Sequence, residues 1–473
     1  MSSLLLPHQD LVPINRAQNF PGATRLPVRG VPGTYFVQTW GCQMNEEDSE
    51  QMGLYLEGMG YTPVDSPLAA EVILLNTCSV RKKPEDKAFS MLGELAIAKR
   101  ARPEMVIGVC GCMAQLRAEE IRRRAPHVDF VVGTGNLADI PVLVQEAIQS
   151  RRFATRLDLP ERRGAIVETM PQREVRRVAK LKAFVPIQYG CDKFCTFCIV
   201  PTTRGRERSR PTADILAEVQ ALADGGTREV TLLGQTVNSY GKNMIEGKVP
   251  FSELLRMVAS VPGIERVRFT SPYPRDFRPD VIAAMRDVPQ VMESCHMPLQ
   301  SGDDGVLRRM HRLYNRESFG AIIASLREAI PQIGITTDLI VGHPGETDAE
   351  FERTLEAVQE FRFDGAFIFA YSPRPGTPAA ADPDQVPTEL KRERLARLMR
   401  AQEAITDEIN QGLVGREFEV LIEGPSPKDA SRVQGFTREG RMMHFPAPGD
   451  RIGRLARVVA TKAHRWGLLG ELV

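Results

Sequence analysis

From residue 34 onward, short apolar runs alternate with longer stretches of helical character. The runs at 35–39, 72–75, 105–109 and 128–132 predict strands, and stretches beginning near Asn45 and covering 137–148 predict helices. Alternation of this kind implies a parallel sheet flanked by helices. An arginine-rich stretch, 151–182, follows with few apolar clusters and scattered prolines, and reads as an interdomain connection. Strand-like runs then recur at 184–188, 230–233, 267–270, 291–297, 335–341 and 366–371, with helical segments at 212–223, 252–261, 316–330 and 348–361. Six βα units are too few for a complete eight-fold barrel and predict an open partial one. After a charged helix at 388–410, short alternating runs at 418–422, 431–435, 442–445 and 456–459 are separated by Gly, Pro and Asp, the pattern of a small β-barrel. The expected chain is α/β: a loose extension over 1–32, a parallel-sheet unit over 33–150, a linker over 151–176, a partial (βα)6 barrel over 177–410 and a small β-barrel over 411–473.

Composition adds limits. At 473 residues the chain exceeds what one core serves, and a net charge of +1 confines any nucleic-acid contact to local basic patches. Eight cysteines without a secretory leader argue for a reducing compartment, in which thiolates serve metals. Leu4-Leu5-Leu6 is too short for a signal peptide's apolar core, and no span approaches membrane length, so the expectation is a soluble cytoplasmic protein.

Three of the cysteines lie in one loop, Cys191-Asp-Lys-Phe-Cys195-Thr-Phe197-Cys198, directly after an apolar run. Structural zinc nearly always takes four protein ligands, whereas a [4Fe-4S] cluster on three cysteines leaves one iron open to a small molecule. The C-x3-C-x2-C spacing, with an aromatic residue before the last cysteine, resembles the signature of radical S-adenosylmethionine (SAM) enzymes, in which the open iron chelates the methionine end of SAM. The competing reading is zinc completed by one of the seven histidines. Cys42, Cys78 and Cys112 each lie just beyond a predicted strand, and loops at the carboxyl ends of parallel strands share one edge. Separations of about 35 residues are no obstacle, since closure entropy grows only slowly with loop length. These three suggest a second cluster with its own open iron; the alternative is small buried residues. Cys110, two residues before Cys112, competes with it on periodicity, and Cys295 reads as core.

The local sequences are more specific. Thr39-Trp-Gly-Cys42-Gln-Met-Asn45, Asn76-Thr-Cys78-Ser-Val-Arg81, Gly111-Cys112-Met-Ala-Gln115, Thr203-Arg-Gly205, Leu233-Gly-Gln-Thr-Val-Asn238 and His296-Met-Pro-Leu-Gln-Ser-Gly302 resemble the motifs of the methylthiotransferase family of radical SAM enzymes. The resemblance runs from about Thr34 to the end of the chain and implies Cys112 as third ligand, leaving Cys110 an extra thiol. It implies two [4Fe-4S] clusters, on Cys42, Cys78 and Cys112 and on Cys191, Cys195 and Cys198, with SAM used twice, as methyl donor and as source of a 5′-deoxyadenosyl radical. The Gln43-Met44-Asn45 variant points to the branch that adds a methylthio group to N6-dimethylallyladenosine at tRNA position 37. The alternatives are the branch acting on threonylcarbamoyladenosine and a non-catalytic iron–sulfur RNA-binding protein. Asp303 and Arg206-Glu-Arg-Ser depart from the family pattern without touching a cluster ligand.

Phe197 is expected beside the SAM adenine, and turns at Gly234, Gln235 and Gly342, where barrel strands end, are expected to position SAM. The resemblance implies an anticodon stem-loop carrying prenylated adenosine as partner, an electron donor such as flavodoxin or ferredoxin, and no membrane. The C-terminal barrel resembles the TRAM module, whose Arg432, Arg438, Arg441, Arg454 and Arg457 are candidates for phosphate contacts.

Overall fold

The computed structural model describes residues 33–79, 82–160, 173–174, 180–244 and 247–473. The expected extension over 1–32, Arg81 of the second motif, and residues 161–172 and 175–179 of the arginine-rich stretch lie outside the described residues.

Six strands, β1 (Thr34–Trp40), β2 (Thr62–Pro63), β3 (Val72–Thr77), β4 (Val106–Cys110), β5 (Phe130–Val132) and β6 (Ala154–Arg156), form one parallel sheet in the order 2-1-3-4-5-6. Four helices flank it: α1 (Gln43–Gly58), α2 (Lys82–Ala101), α3 (Cys112–Arg124) and α4 (Ile140–Ser150). Met52 and Leu56 of α1 and Ile140 and Val144 of α4 cover one face with Val72, Leu74 and Val106; Leu92 of α2 and Ile121 of α3 cover the other with Ile73, Leu75 and Ile107. Covering on both faces is why β3 and β4 are apolar runs and not alternating ones. β6 lies within the segment expected to begin the linker.

The central unit holds β7 (Lys182–Pro186), β8 (Gln188–Tyr189), β9 (Arg208–Ser209), β10 (Glu229–Leu233), β11 (Arg266–Phe269), β12 (Ser294–His296), β13 (Gly334–Val341) and β14 (Gly365–Ala370). β7, β10 and β11 form one parallel sheet and β12, β13 and β14 another, and a parallel bridge from Val267 to Val291 joins them. The result is the expected six-stranded partial barrel, while β8 and β9 pair antiparallel beside it. Around it lie α5 (Val200–Arg204), α6 (Thr212–Asp224), α7 (Phe251–Ala259), α8 (Pro279–Asp287), α9 (Asp304–Arg309), α10 (Arg316–Ala329), α11 (Asp348–Phe361), α12 (Pro378–Ala381) and α13 (Thr388–Gln411). One apolar core runs through both sheets and α6, α7, α8, α10, α11 and α13, and Cys295 lies in it.

β15 (Glu417–Ser426), β16 (Asp429–Thr437), β17 (Met442–Phe445), β18 (Leu455–His464) and β19 (Gly467–Leu472) close into a small barrel. It packs against the amino ends of the central strands. Lys182 pairs with Glu423 at 2.6 Å, and Arg266, fully buried, donates to Phe436 O (2.8 Å) and Glu419 Oε1 (2.9 Å). Arg438 and Arg441, two of the candidates for phosphate contacts, hold this joint. Arg438 pairs with Glu293 (2.6 Å), and Arg441 pairs with Asp364 and donates to Asn410 (2.8 Å). Among the described residues no helix is long and apolar enough to cross a membrane.

Candidate functional site

The sheet order 2-1-3 places the carboxyl ends of β1 and β3 at a topological switch point, where open α/β sheets bind ligands. Cys42 and Cys78 follow those ends, and Cys112 follows β4. Trp40 is paired with Thr77 and Asn76 with Cys110, so the three cysteines leave three adjacent strands within one residue of the same level. Neighbouring strands lie about 5 Å apart. Hydrogen bonds tie the turns together. Cys78 N–H donates to Trp40 O (2.8 Å), Asn45 Oδ1 accepts from Cys42 N–H (3.3 Å), and Asn45 Nδ2 donates to Asn76 Oδ1 (3.1 Å). Gly111, at φ +87°, turns the chain from β4 into α3. A Cβ there would lie 2.3 Å from Asn76 Oδ1, so this glycine permits the close approach that delivers Cys112.

The second trio sits on the loop after β8, at the carboxyl end of the barrel strands. Cys191 N–H donates to Gly205 O (3.1 Å), Thr196 N–H to Met310 O (3.1 Å) and Thr196 Oγ1 to Arg309 O (2.8 Å), so barrel segments far apart in sequence fix the loop. Arg312, between the rings of Tyr273 and Tyr314 (4.8 and 5.0 Å), donates to Cys195 Sγ at 3.3 Å. Burial pushes the Cys191 and Cys198 thiols up to about 12, and neighbouring cysteines of the loop push the same way. Two such thiols side by side ionise together only against compensating positive charge, which iron supplies.

The two trios share one interface. Cys112 is among the groups that raise the Cys198 thiol. The Cys112 thiol is itself raised by burial and opposed by Arg204, the arginine of the Thr203-Arg-Gly205 motif. Arg204 is buried and pairs with Asp48 of α1 at 2.7 Å. Thr134 donates to Thr203 O (2.5 Å), and Arg173 bridges Glu47 of α1 and Glu218 of α6 (2.7 and 2.9 Å). The N-terminal sheet edge therefore packs over the barrel's cysteine loop. Among the described residues no three His, Cys, Asp or Glu side chains are gathered as the ligands of a single metal ion. A cluster, which places iron and sulfide between its thiolates, asks for a wider set.

Both donor sets are all sulfur, the chemistry iron–sulfur clusters take. The expected SAM positions occupy the same end of the barrel. Phe197 stacks edge-on to His343 (centroids 6.4 Å apart), whose ring burial pushes down to about 4, so it is neutral near pH 7. Gly234 directly follows β10, against the Gln188 side chain, and Gln235 is next to it; Gln188 Nε2 and Oε1 are both buried without a partner, as is Gln300 Oε1. Such orphaned groups suit a bound polar molecule. Gly342 has a second reason to be glycine: it turns at φ +74°, and a Cβ would meet Lys391 Cγ at 2.4 Å. Its N–H donates to Glu346, which pairs with Arg394 at 2.9 Å, so the backbone N–H of this turn has its partner within the protein. Arg204 lay unremarked inside a motif, and His343 inside the 339–346 segment at the end of β13; nothing local in the sequence marks Arg312, whose role follows from the loop it touches.

Residues 34–133 match Uncharacterized protein family UPF0004, 185–358 the Radical SAM superfamily and 411–473 the TRAM domain. The chain is 47% identical over 442 residues to the tRNA-2-methylthio-N(6)-dimethylallyladenosine synthase of Moorella thermoacetica, covering 93% of this chain and 98% of that one. It is 47% identical over 460 residues to the synthase of that name from Acidothermus cellulolyticus, covering 97% and 91%. Among solved structures, the radical S-adenosylmethionine methyltransferase TsrM from Kitasatospora setae shares the fold, with a TM-score of 0.52 at 14% identity over 71% of this chain and 72% of that one. With its sheet edge, partial barrel and terminal β-barrel in that arrangement and relatives so similar over nearly their full length, the chain belongs to the tRNA-2-methylthio-N(6)-dimethylallyladenosine synthase family of radical SAM proteins.

Proposed function

We propose that this chain converts N6-dimethylallyladenosine at tRNA position 37 to its 2-methylthio derivative. The adenine C2–H is not acidic, so no histidine or carboxylate of the site removes it by proton transfer. SAM and the clusters supply what side chains lack: one-electron cleavage of SAM to a hydrogen-abstracting radical, a methyl group and sulfur. Cys191, Cys195 and Cys198 hold the cluster that binds SAM, and Cys42, Cys78 and Cys112 hold the one that donates sulfur. Arg312 steadies Cys195. Phe197, Gly234 and Gln235 line the SAM position, and Gly342 shapes the turn beside them. The barrel and the overlying sheet edge exclude water from the space between the trios.

The observation that carries this reading is the packing of the N-terminal sheet edge over the barrel's cysteine loop, through Arg204 on Asp48 and Thr134 on Thr203, in a chain so close to the named synthases over nine-tenths of its length. The units are assigned as an N-terminal unit from 33 that runs on through β6, a barrel over 177–410 and a terminal β-barrel over 411–473, with the expected linker beginning only after β6. The chain works in the cytoplasm on an anticodon stem-loop, with its electron drawn from a donor such as flavodoxin or ferredoxin. Nucleosides of tRNA from a strain lacking the gene test it. The methylthio group should vanish from the dimethylallyl nucleoside and return on complementation. Its persistence there, with loss from threonylcarbamoyladenosine instead, would overturn the reading.

A further inference from the structure

Two arginines of the barrel cross into the N-terminal unit and land in equivalent places. Each meets a carboxylate near the start of the helix that follows a cysteine of the first trio. Arg204 meets Asp48 after Cys42, at 2.7 Å, and Arg374 meets Glu85 after Cys78, at 3.5 Å. Arg374 is the less satisfied. It is 6% exposed, and its Nε and Nη2 are buried without a partner. Its carboxylate is already engaged: Arg117 bonds both oxygens of Glu85, at 3.3 and 3.1 Å. Burial and, less strongly, Arg117 oppose the charge of Arg374, while Glu85, then Cys78, then Tyr371 favour it. A buried guanidinium with two idle donors costs stability unless something accepts from it. The barrel trio shows the arrangement completed, because Arg312 donates to Cys195 Sγ (3.3 Å), Tyr314 Oη (2.8 Å) and Pro298 O (3.4 Å).

We propose that Arg374 is a positioning residue for the iron–sulfur cluster of the N-terminal trio, its Nε–H and Nη2–H donating to sulfur on the Cys78 side and its charge favouring the reduced cluster. This rests on the reading that Cys42, Cys78 and Cys112 hold a cluster. Reduction adds one electron from an external mediator and makes the cluster more negative by one charge. Hydrogen bonds to cluster sulfur and a nearby cation both favour that state. Glu85 acts in the opposite sense.

The test uses the full chain carrying Cys191→Ala, Cys195→Ala and Cys198→Ala, so that only the N-terminal cluster remains after anaerobic loading with iron and sulfide. Potentiometric titration followed by electron paramagnetic resonance reads its reduction. Adding Arg374→Met should make the reduction constant about tenfold smaller, about 59 mV for one electron, with Arg374→Lys between the two. Glu85→Gln should shift it the other way. A bridge that only fastened the two units together would move both variants in one direction or neither, and either result overturns the proposal. If Arg374→Met loses its iron, Glu85→Gln alone decides: easier reduction supports the proposal, and no change or harder reduction overturns it. A triple-alanine protein with native Arg374 that holds no iron would overturn the assignment of the trio itself. Iron retained with an unmoved potential overturns only the role of Arg374.

Discussion

Cys110 ends β4 inside the apolar cluster that also holds Tyr35, Leu74, Phe130 and Val132, fully out of water, and burial pushes its thiol well above the usual range. Cys112, two residues on, would share that side if the strand continued. The left-handed Gly111 ends the strand instead and starts α3, so Cys112 faces Arg204, Cys42 and the barrel. The pair therefore separates by experiment. Cys112→Ala should abolish methylthiolation and reduce iron from about eight per chain to about four, while SAM cleavage at the other trio stays measurable. Cys110→Ala should cost about 1 kcal/mol through the small cavity it opens and keep both iron and product. Iron assay and nucleoside analysis on the two proteins check this, and reversed outcomes would exchange the roles of the two thiols.

The turn between β4 and α3 is the element on which that geometry depends. Gly111→Ala forces a Cβ into a backbone conformation nearly reserved for glycine, a cost of about 1–3 kcal/mol. It also drives an atom against Asn76 Oδ1, whose amide links β3 to Asn45 and Ser49. Expected are a lower urea midpoint and about four irons in place of eight, with 5′-deoxyadenosine still formed; about eight irons would show that the turn can relax. The sequence announced the main strands because both-face burial writes apolar runs, as at 72–75, and it placed the cysteines at strand ends. It did not announce β2 or β6, since two- and three-residue strands at the sheet edges, partly exposed and without alternation, carry no periodic signal. Nor did it separate Cys110 from Cys112 by pattern, because one backbone torsion makes that distinction. β19 was missed for a related reason: two of the six residues in Gly467–Leu472 are glycine. The contacts of Arg204 and Arg374 across the two units, and of Arg312 within the barrel, were illegible because each joins segments brought together only by the finished fold.

Across the whole molecule, chemistry and the terminal β-barrel occupy opposite ends of the central strands. The thiol trios lie at the carboxyl ends, while Lys182, Arg266 and Asp364 at the amino ends bind the β-barrel. An RNA reaching both must lie along the side of the partial barrel, and arginines already spent on the joint are not available to it. Arg438 and Arg441 are therefore separated in function from Arg454 and Arg457, which are exposed. If RNA crosses that exposed face, removing one phosphate contact lowers the slope of log affinity against log salt by about 0.7. Arg454→Ala should weaken tRNA binding with that loss of slope and leave thermal stability unchanged. Arg438→Ala should do the reverse: it breaks the pairing with Glu293 at 2.6 Å, lowers stability by about 1–3 kcal/mol as a partly buried carboxylate loses its partner, and keeps the salt slope. Filter binding at several salt concentrations, paired with calorimetry, reads both quantities on the same proteins. An unchanged slope in Arg454→Ala would remove that residue from the RNA path, and a reduced slope in Arg438→Ala would mean that the joint opens to admit the phosphate backbone.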